Sequence, residues 1–174
     1  LTRNIAKAFN RKFCKSREPV FPLPQALLSK TPSILGLDGS QKMSKSRGNA
    51  IFLCSTEDET ASLIKKAKTD SERVITYDPE NRPEVANLLM LISLCTKEEP
   101  AAIAERIGEK GSGELKKVLA EALNEELRPL RQKRAELEKN PDYIRKVLLD
   151  GVEKARAIAI KTLDEVREAM NMKI

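Results

Sequence analysis

The sequence predicts a mainly α protein, on three observations. From about Thr56 the apolar residues recur at helical spacing almost to the end, the starts of these stretches carry helix-capping residues, and only Ser33-Ile34-Leu35 and Ala50-Ile51-Phe52-Leu53 read as short strands. At 174 residues and 40% hydrophobic, the chain can bury a core and has the size of one domain, or of one domain plus a piece of another. No apolar run approaches the roughly 18 residues that suggest a membrane span. The start, Leu1-Thr2-Arg3-Asn4, has neither an initiator Met nor the apolar core of a signal peptide. A cytoplasmic chain with no membrane partner and a missing beginning is expected.

Leu1, Ile5, Phe9 and Phe13 recur every four residues among Arg3, Lys7, Arg11, Lys12 and Lys15, which predicts an amphipathic helix with a basic outer face. Four prolines between Pro19 and Pro32 predict an extended path, with a helical turn conceivable only around Gln25 to Ser29. The two short strands then flank a polar loop. Beyond them Thr56 with Glu59, Asn81 with Glu84, and Thr96 with Glu99 have capping-box spacing and predict helices near 57–68, 82–95 and 97–109. Val85, Leu88, Leu89 and Ile92 form the strongest apolar stripe. Gly111-Ser112-Gly113 predicts a break before a long helix through Leu115, Leu119 and Leu127, bent at Pro129 and ending near Lys139. Asn140-Pro141 is a cap and first-turn pair opening a last helix through Ile144, Leu148, Val152 and Leu163, with Gly151 a weak point. Five helices with short connections make a compact bundle the expectation from Thr56 onward.

Cys14, Cys54 and Cys95 are an odd number, about forty residues apart, in a chain without His; neither a disulfide framework nor a Cys/His zinc site is expected. The lack of His also excludes imidazole acid–base chemistry and triads within these residues. What remains is electrostatic. The net charge of +6 is concentrated at the front, where residues 1–50 carry +8 and the remainder −2. Such a field suits ATP or a nucleic-acid backbone, and equally serves as an ordinary solubilising face.

Within that basic front, Lys42, Lys45 and Arg47 share six residues with Ser44 and Ser46, between Gly39 and Gly48. Glycines on both sides and an excess of Ser, Asn and Asp predict a mobile polar loop. Compact ammonium groups on flexible stems can follow moving phosphate oxygens, and the hydroxyls and backbone N–H groups add neutral donors. The composition alone is equally that of a solvated turn; the exact string says more.

Lys42-Met43-Ser44-Lys45-Ser46 matches, residue for residue, the second signature of class I aminoacyl-tRNA synthetases, and its surroundings resemble the tryptophanyl-tRNA synthetase family. Leu1-Thr2-Arg3, Lys30-Thr31-Pro32, Tyr77-Asp78-Pro79-Glu80-Asn81-Arg82-Pro83 and Glu153-Lys154-Ala155-Arg156 follow in the order of that family's carboxyl-terminal half. The resemblance implies that residues 1–55 are the end of a Rossmann-like nucleotide-binding catalytic domain, present as a helix, an extended segment, short strands and the signature loop. Residues 56–174 are then a helical anticodon-side tRNA-binding domain. The first helix would lack the sheet it packs on and keep a bare apolar stripe. The implied reaction joins tryptophan to ATP as tryptophanyl-adenylate, releasing pyrophosphate, and passes the amino acid to tRNA(Trp). Lys42 and Lys45 are the implied catalytic cations. Ile34, Lys42, Met43, Ser44, Lys45 and Ser46 are the implied ATP-binding residues, with Ile34 and Met43 acting through backbone against the adenine. Mg2+ would be held mainly by the phosphates, and the full-length enzyme would be a homodimer. The amino-acid pocket is expected upstream of Leu1, so that these 174 residues alone are expected to be inactive. A non-catalytic RNA-binding or regulatory module, or another class I synthetase such as the tyrosine enzyme, remains the alternative. The Lys/Arg-rich stretches 128–139 and 154–161 are either phosphate contacts or solvated faces with internal ion pairs.

Overall fold

A computed structural model describes residues 1–29, 31 and 33–172; Lys30 and Pro32 of the Lys30-Thr31-Pro32 string lie outside the described residues. Helix α1 spans Thr2–Phe13, α2 Glu57–Lys65, α3 Pro83–Thr96, α4 Pro100–Ile107, α5 Gly111–Glu138 and α6 Pro141–Ala169. The mainly helical class is the observed one. Among the described residues the only β pairing is a single antiparallel bridge between Leu35 and Lys42, so neither short run forms a full strand.

Contacts divide the chain into two units: Leu1–Ser29 with the stretch from Leu137 on, and the intervening residues to Glu136. In the first, the proline-rich segment folds back on α1 without forming a helix around Gln25. Asn10 grips it through both polar ends, Nδ2 donating to the Phe21 carbonyl at 2.7 Å and Oδ1 accepting from the Phe21 N–H at 3.2 Å. The Phe21 ring meets Phe9 edge-on at 5.0 Å. The expected bare stripe is therefore half covered: Phe9 and Phe13 are partly buried, whereas Leu1 and Ile5 are exposed.

The second unit holds the core, a cluster from Leu37 through Ile64, Ile75, Val85, Leu88, Leu89, Ile92, Ile103 and Ile107 to Leu115 and Leu119. Helix α3 lies at its centre, burying six of its 14 residues. At the start of α2, Thr56 accepts from the Glu59 N–H and Glu59 returns a bond to the Thr56 N–H, the expected capping box. The other two capping boxes do not form. Asn81 instead donates to Asp78 while Glu84 pairs with Lys68 at 2.8 Å, and α3 starts on Pro83, whose missing N–H is no loss in a first turn. Thr96 ends α3, its hydroxyl donating to the Ile92 carbonyl, and Lys97 at φ 66° turns the chain so that α4 starts later than expected, at Pro100. Gly111 reverses the chain at φ 80°, and the expected break contracts into the first turn of α5.

Helix α6 departs most from expectation. Its 29 residues include none that is buried, and Leu148, Val152 and Leu163 are all exposed. An apolar stripe says that one face avoids water; it does not say which surface will cover it.

Candidate functional site

The polar loop begins in a short hairpin. The Gly36 N–H donates to Gln41 at 2.7 Å and the Met43 N–H to Ile34 at 2.9 Å, on either side of the Leu35–Lys42 bridge. Ile34, Lys42 and Met43 thus meet at the neck. Asn87 of α3 pairs with both polar groups of Leu35, Oδ1 accepting its N–H and Nδ2 donating to its carbonyl, each at 3.0 Å. The hairpin entry is fixed to the central helix of the core, and the Leu37 carbonyl accepts from the Lys68 N–H at 2.8 Å.

The pairs at the neck close a hairpin turn at residues 37–40; beyond its open end, after Met43, Ser44 is extended, Lys45–Arg47 form one 3-10 turn, and Gly48 closes it at φ 66°. Ser44 and Ser46 hydroxyls lie 3.1 Å apart. Lys42, Lys45, Ser46 and Arg47 are exposed, and Met43 and Ser44 half-buried. Among the described residues none of the three cations makes an ion pair. The one carboxylate within the hairpin, Asp38, is engaged elsewhere. Its Oδ1 accepts from the Ser40 N–H and Asn49 Nδ2, and its Oδ2 from the Ser40 hydroxyl. The bond from Asn49 and those from Ser40 hold the carboxyl below the usual carboxylate range. Three positive charges that make no ion pair among the described residues can bind a polyanion.

Two residues that shape this site, Asn49 and Asn87, were not singled out from the sequence. A polar amide inside the apolar stripe of α3, between Ala86 and Leu88, was the available signal for Asn87. Elsewhere, Arg82 clasps Asp70 through two nitrogens at 2.7 and 2.8 Å and also donates to the Val74 carbonyl and the Thr76 hydroxyl, which makes the 77–83 string a structural knot at the head of α3. In the 128–139 stretch, Arg128 pairs with Glu57 and Glu125, Arg131 with Thr60 and Asn124, and Lys133 with Glu136, so these cations serve internal contacts first. Lys154, Arg156 and Lys161 on α6 are exposed. Among the described residues no group of three or more His, Cys, Asp or Glu side chains gathers as a metal site, and no helix is long and apolar enough to cross a membrane.

Residues 1–128 match the sequence model of the family described as tRNA synthetases class I (W and Y). Among curated proteins, the chain is 43% identical to the tryptophan–tRNA ligase of Aquifex aeolicus, covering 99% of this chain and 43% of that protein. It is 41% identical to the tryptophan–tRNA ligase of Treponema pallidum, covering 99% of this chain and 51% of that one. The chain thus spans about half the length of these relatives. Among solved structures, tryptophanyl-tRNA synthetase from Mycoplasma pneumoniae superposes with a TM-score of 0.80 at 26% identity, over 99% of this chain and 54% of that one. The Campylobacter jejuni enzyme, crystallised with ADP and tryptophan, gives 0.68 at 28% identity, over 97% and 52%.

Proposed function

This chain belongs to the class I tRNA synthetases of the tryptophan and tyrosine group, and from that premise we propose that it is the carboxyl-terminal part of a tryptophan–tRNA ligase. In that reaction the carboxylate of tryptophan attacks the α-phosphorus of ATP. The bond to the bridging oxygen breaks, pyrophosphate leaves with the electron pair, and the adenylate later passes its aminoacyl group to tRNA(Trp). Charge moves toward the leaving pyrophosphate, so cations that engage it more strongly in the transition state than in the ground state lower the barrier. Lys42 and Lys45 have that role in this reading. Ser44 and Ser46 contribute donors to the phosphates, and the backbone of Ile34 and Met43, joined across the neck, lies against the adenine. Mg2+ would be held mainly by the phosphates of ATP and would supply charge neutralisation there. The observation that carries the reading is that Lys42 and Lys45 are exposed and, among the described residues, in no ion pair, on a segment whose hairpin is fixed to the core.

Residues 1–55 then serve as the closing piece of the nucleotide-binding domain and 56–174 as the helical side that meets the tRNA, in a cytoplasmic enzyme that acts as a homodimer. The 174 residues alone are inactive on this reading, because the opposite wall of the ATP site and the tryptophan pocket come from the amino-terminal half.

The test is single-turnover adenylate formation by an enzyme joining this chain to that half. Replacing Lys45 or Lys42 by Ala slows it about a hundredfold, some 3 kcal/mol of barrier, with tryptophan affinity little changed. A loss within about twofold, under roughly 0.5 kcal/mol, makes the loop a solvated turn and returns the chain to the class of non-catalytic RNA-binding modules.

A further inference from the structure

Asn49 stands apart from the rest of the loop. It is 5% exposed in a segment whose cations all face solvent, and both polar ends of its side chain and its backbone carbonyl are used. Oδ1 accepts the Ser44 N–H at 2.8 Å, Nδ2 donates to Asp38 Oδ1 at 3.1 Å, and its backbone carbonyl accepts the Leu37 N–H at 3.0 Å. Asn49 therefore joins the hairpin turn, at Leu37 through its backbone carbonyl and at Asp38 through its side chain, to Ser44, which lies between the two lysines in sequence. The amide can sit only one way round, since its acceptor meets an N–H and its donor meets a carboxylate. The space around it is equally specific: a Cβ on Gly36 would lie 2.1 Å from Nδ2.

We propose that Asn49 is a positioning residue for Lys42 and Lys45. It acts in two ways. By holding the Ser44 N–H it fixes the backbone from which both lysines project, and so their reach. By donating to Asp38 it ties that backbone to the hairpin turn at residues 37–40. Without these bonds the backbone at Ser44 loses its register. The inference rests on the reading of Lys42 and Lys45 given above, and extends it to a residue that touches no substrate.

The experiment uses the enzyme that joins this chain to its amino-terminal half, and compares Asn49→Asp, Asn49→Ala and the exchange Asp38→Asn with Asn49→Asp. Asn49→Asp keeps the acceptor for Ser44 but sets two carboxylates against each other. The double variant restores the donor–acceptor pair between 38 and 49 in reversed order, giving up the long 3.3 Å bond from the Ser40 N–H to the same atom. Expected is a fall of about tenfold to a hundredfold in single-turnover adenylate formation for each single Asn49 variant, the range a misplaced catalytic group produces. Tryptophan affinity stays unchanged, and the double variant recovers most of the lost rate. Single variants that stay within about twofold of the parent, or a double variant no faster than Asn49→Asp, overturn the proposal. So does a rate loss that merely follows a fall in melting temperature. Lys45→Ala run alongside separates the two levels: if it too is without effect, the reading of the lysines fails; if it is slow while the Asn49 series is unchanged, only the role of Asn49 fails.

Discussion

Helices α3 and α6 were both legible as amphipathic helices, each opens on a proline, and they have opposite fates. Six of the 14 residues of α3 are buried, whereas α6 buries none of its 29. Leu89 is fully enclosed, while Leu148 is 63% exposed. Periodicity describes one surface of a helix, and stability comes from the second surface that meets it. The core is held where α3 receives neighbours from α2, α4, α5 and the neck of the hairpin; α6 has the pattern without the enclosure.

The same truncation applied to both helices is the sharpest test. Leu89→Ala should cost about 2–5 kcal/mol, the usual range for a buried leucine, read by urea denaturation followed by helical circular dichroism. A loss under about 1 kcal/mol would show that the centre of the core refills easily. Next in size is the knot at the head of α3. Asp70→Asn removes the charge from a two-bond pair with Arg82, and should cost about 1–3 kcal/mol at neutral pH. Bonding to Arg82 holds the Asp70 carboxyl below its usual range. Its contribution is therefore full above the unfolded value of about 3.9 and is lost as pH falls through the lower folded value, so the gap between parent and variant should close below about pH 4. A gap that persists in acid assigns the effect to packing.

The caps extend the comparison. Thr56→Ala opens the capping box of α2 and should lower the stability of the core unit by about 1 kcal/mol. Asn140→Ala removes the side-chain bond to the Tyr143 N–H at 3.1 Å and should fray the start of α6, seen in amide exchange, while the core transition stays in place. A core transition that moved with Asn140 would make the two units one cooperative body. Smallest is Leu148→Ala, expected within about 0.5 kcal/mol of the parent, as for other exposed positions. A larger loss would reveal a surface that covers α6 in solution.

What could be read from the residues divides along the same line. Most helix positions, the Thr56–Glu59 box and the Asn140-Pro141 start were legible because local groups decide them. The boxes proposed at Asn81 and Thr96 failed where a nearer or stronger partner took the group: Asp78 holds Asn81, Lys68 holds Glu84, and the Ile92 carbonyl holds Thr96. The cations of the candidate site were visible as an unbroken signature. Its scaffold was not, because Asn87 and Leu35 are 52 residues apart and the pairing across the hairpin depends on the tertiary placement of α3. Of the glycine-flanked loop, residues up to Met43 belong to the hydrogen-bonded hairpin, and Lys45 to Gly48 form a single turn beyond it.

Those glycines also set what sequences this hairpin can inherit. At Gly48 the backbone is left-handed and nothing lies near a Cβ, so a substitution costs only conformation, roughly 1–2 kcal/mol, and Asn or Asp should survive in a library of variants. Gly36 and Gly39 are different: a Cβ would meet the Asn49 amide at 2.1 Å in the first case and Glu84 Cγ at 2.3 Å in the second, where φ is also 69°. In a selection for growth, position 48 should drift while 36 stays fixed, and change at 39 should appear only with a smaller residue at 84 or a displaced Glu84. Three glycines that look alike in the text therefore carry three different histories of permitted change.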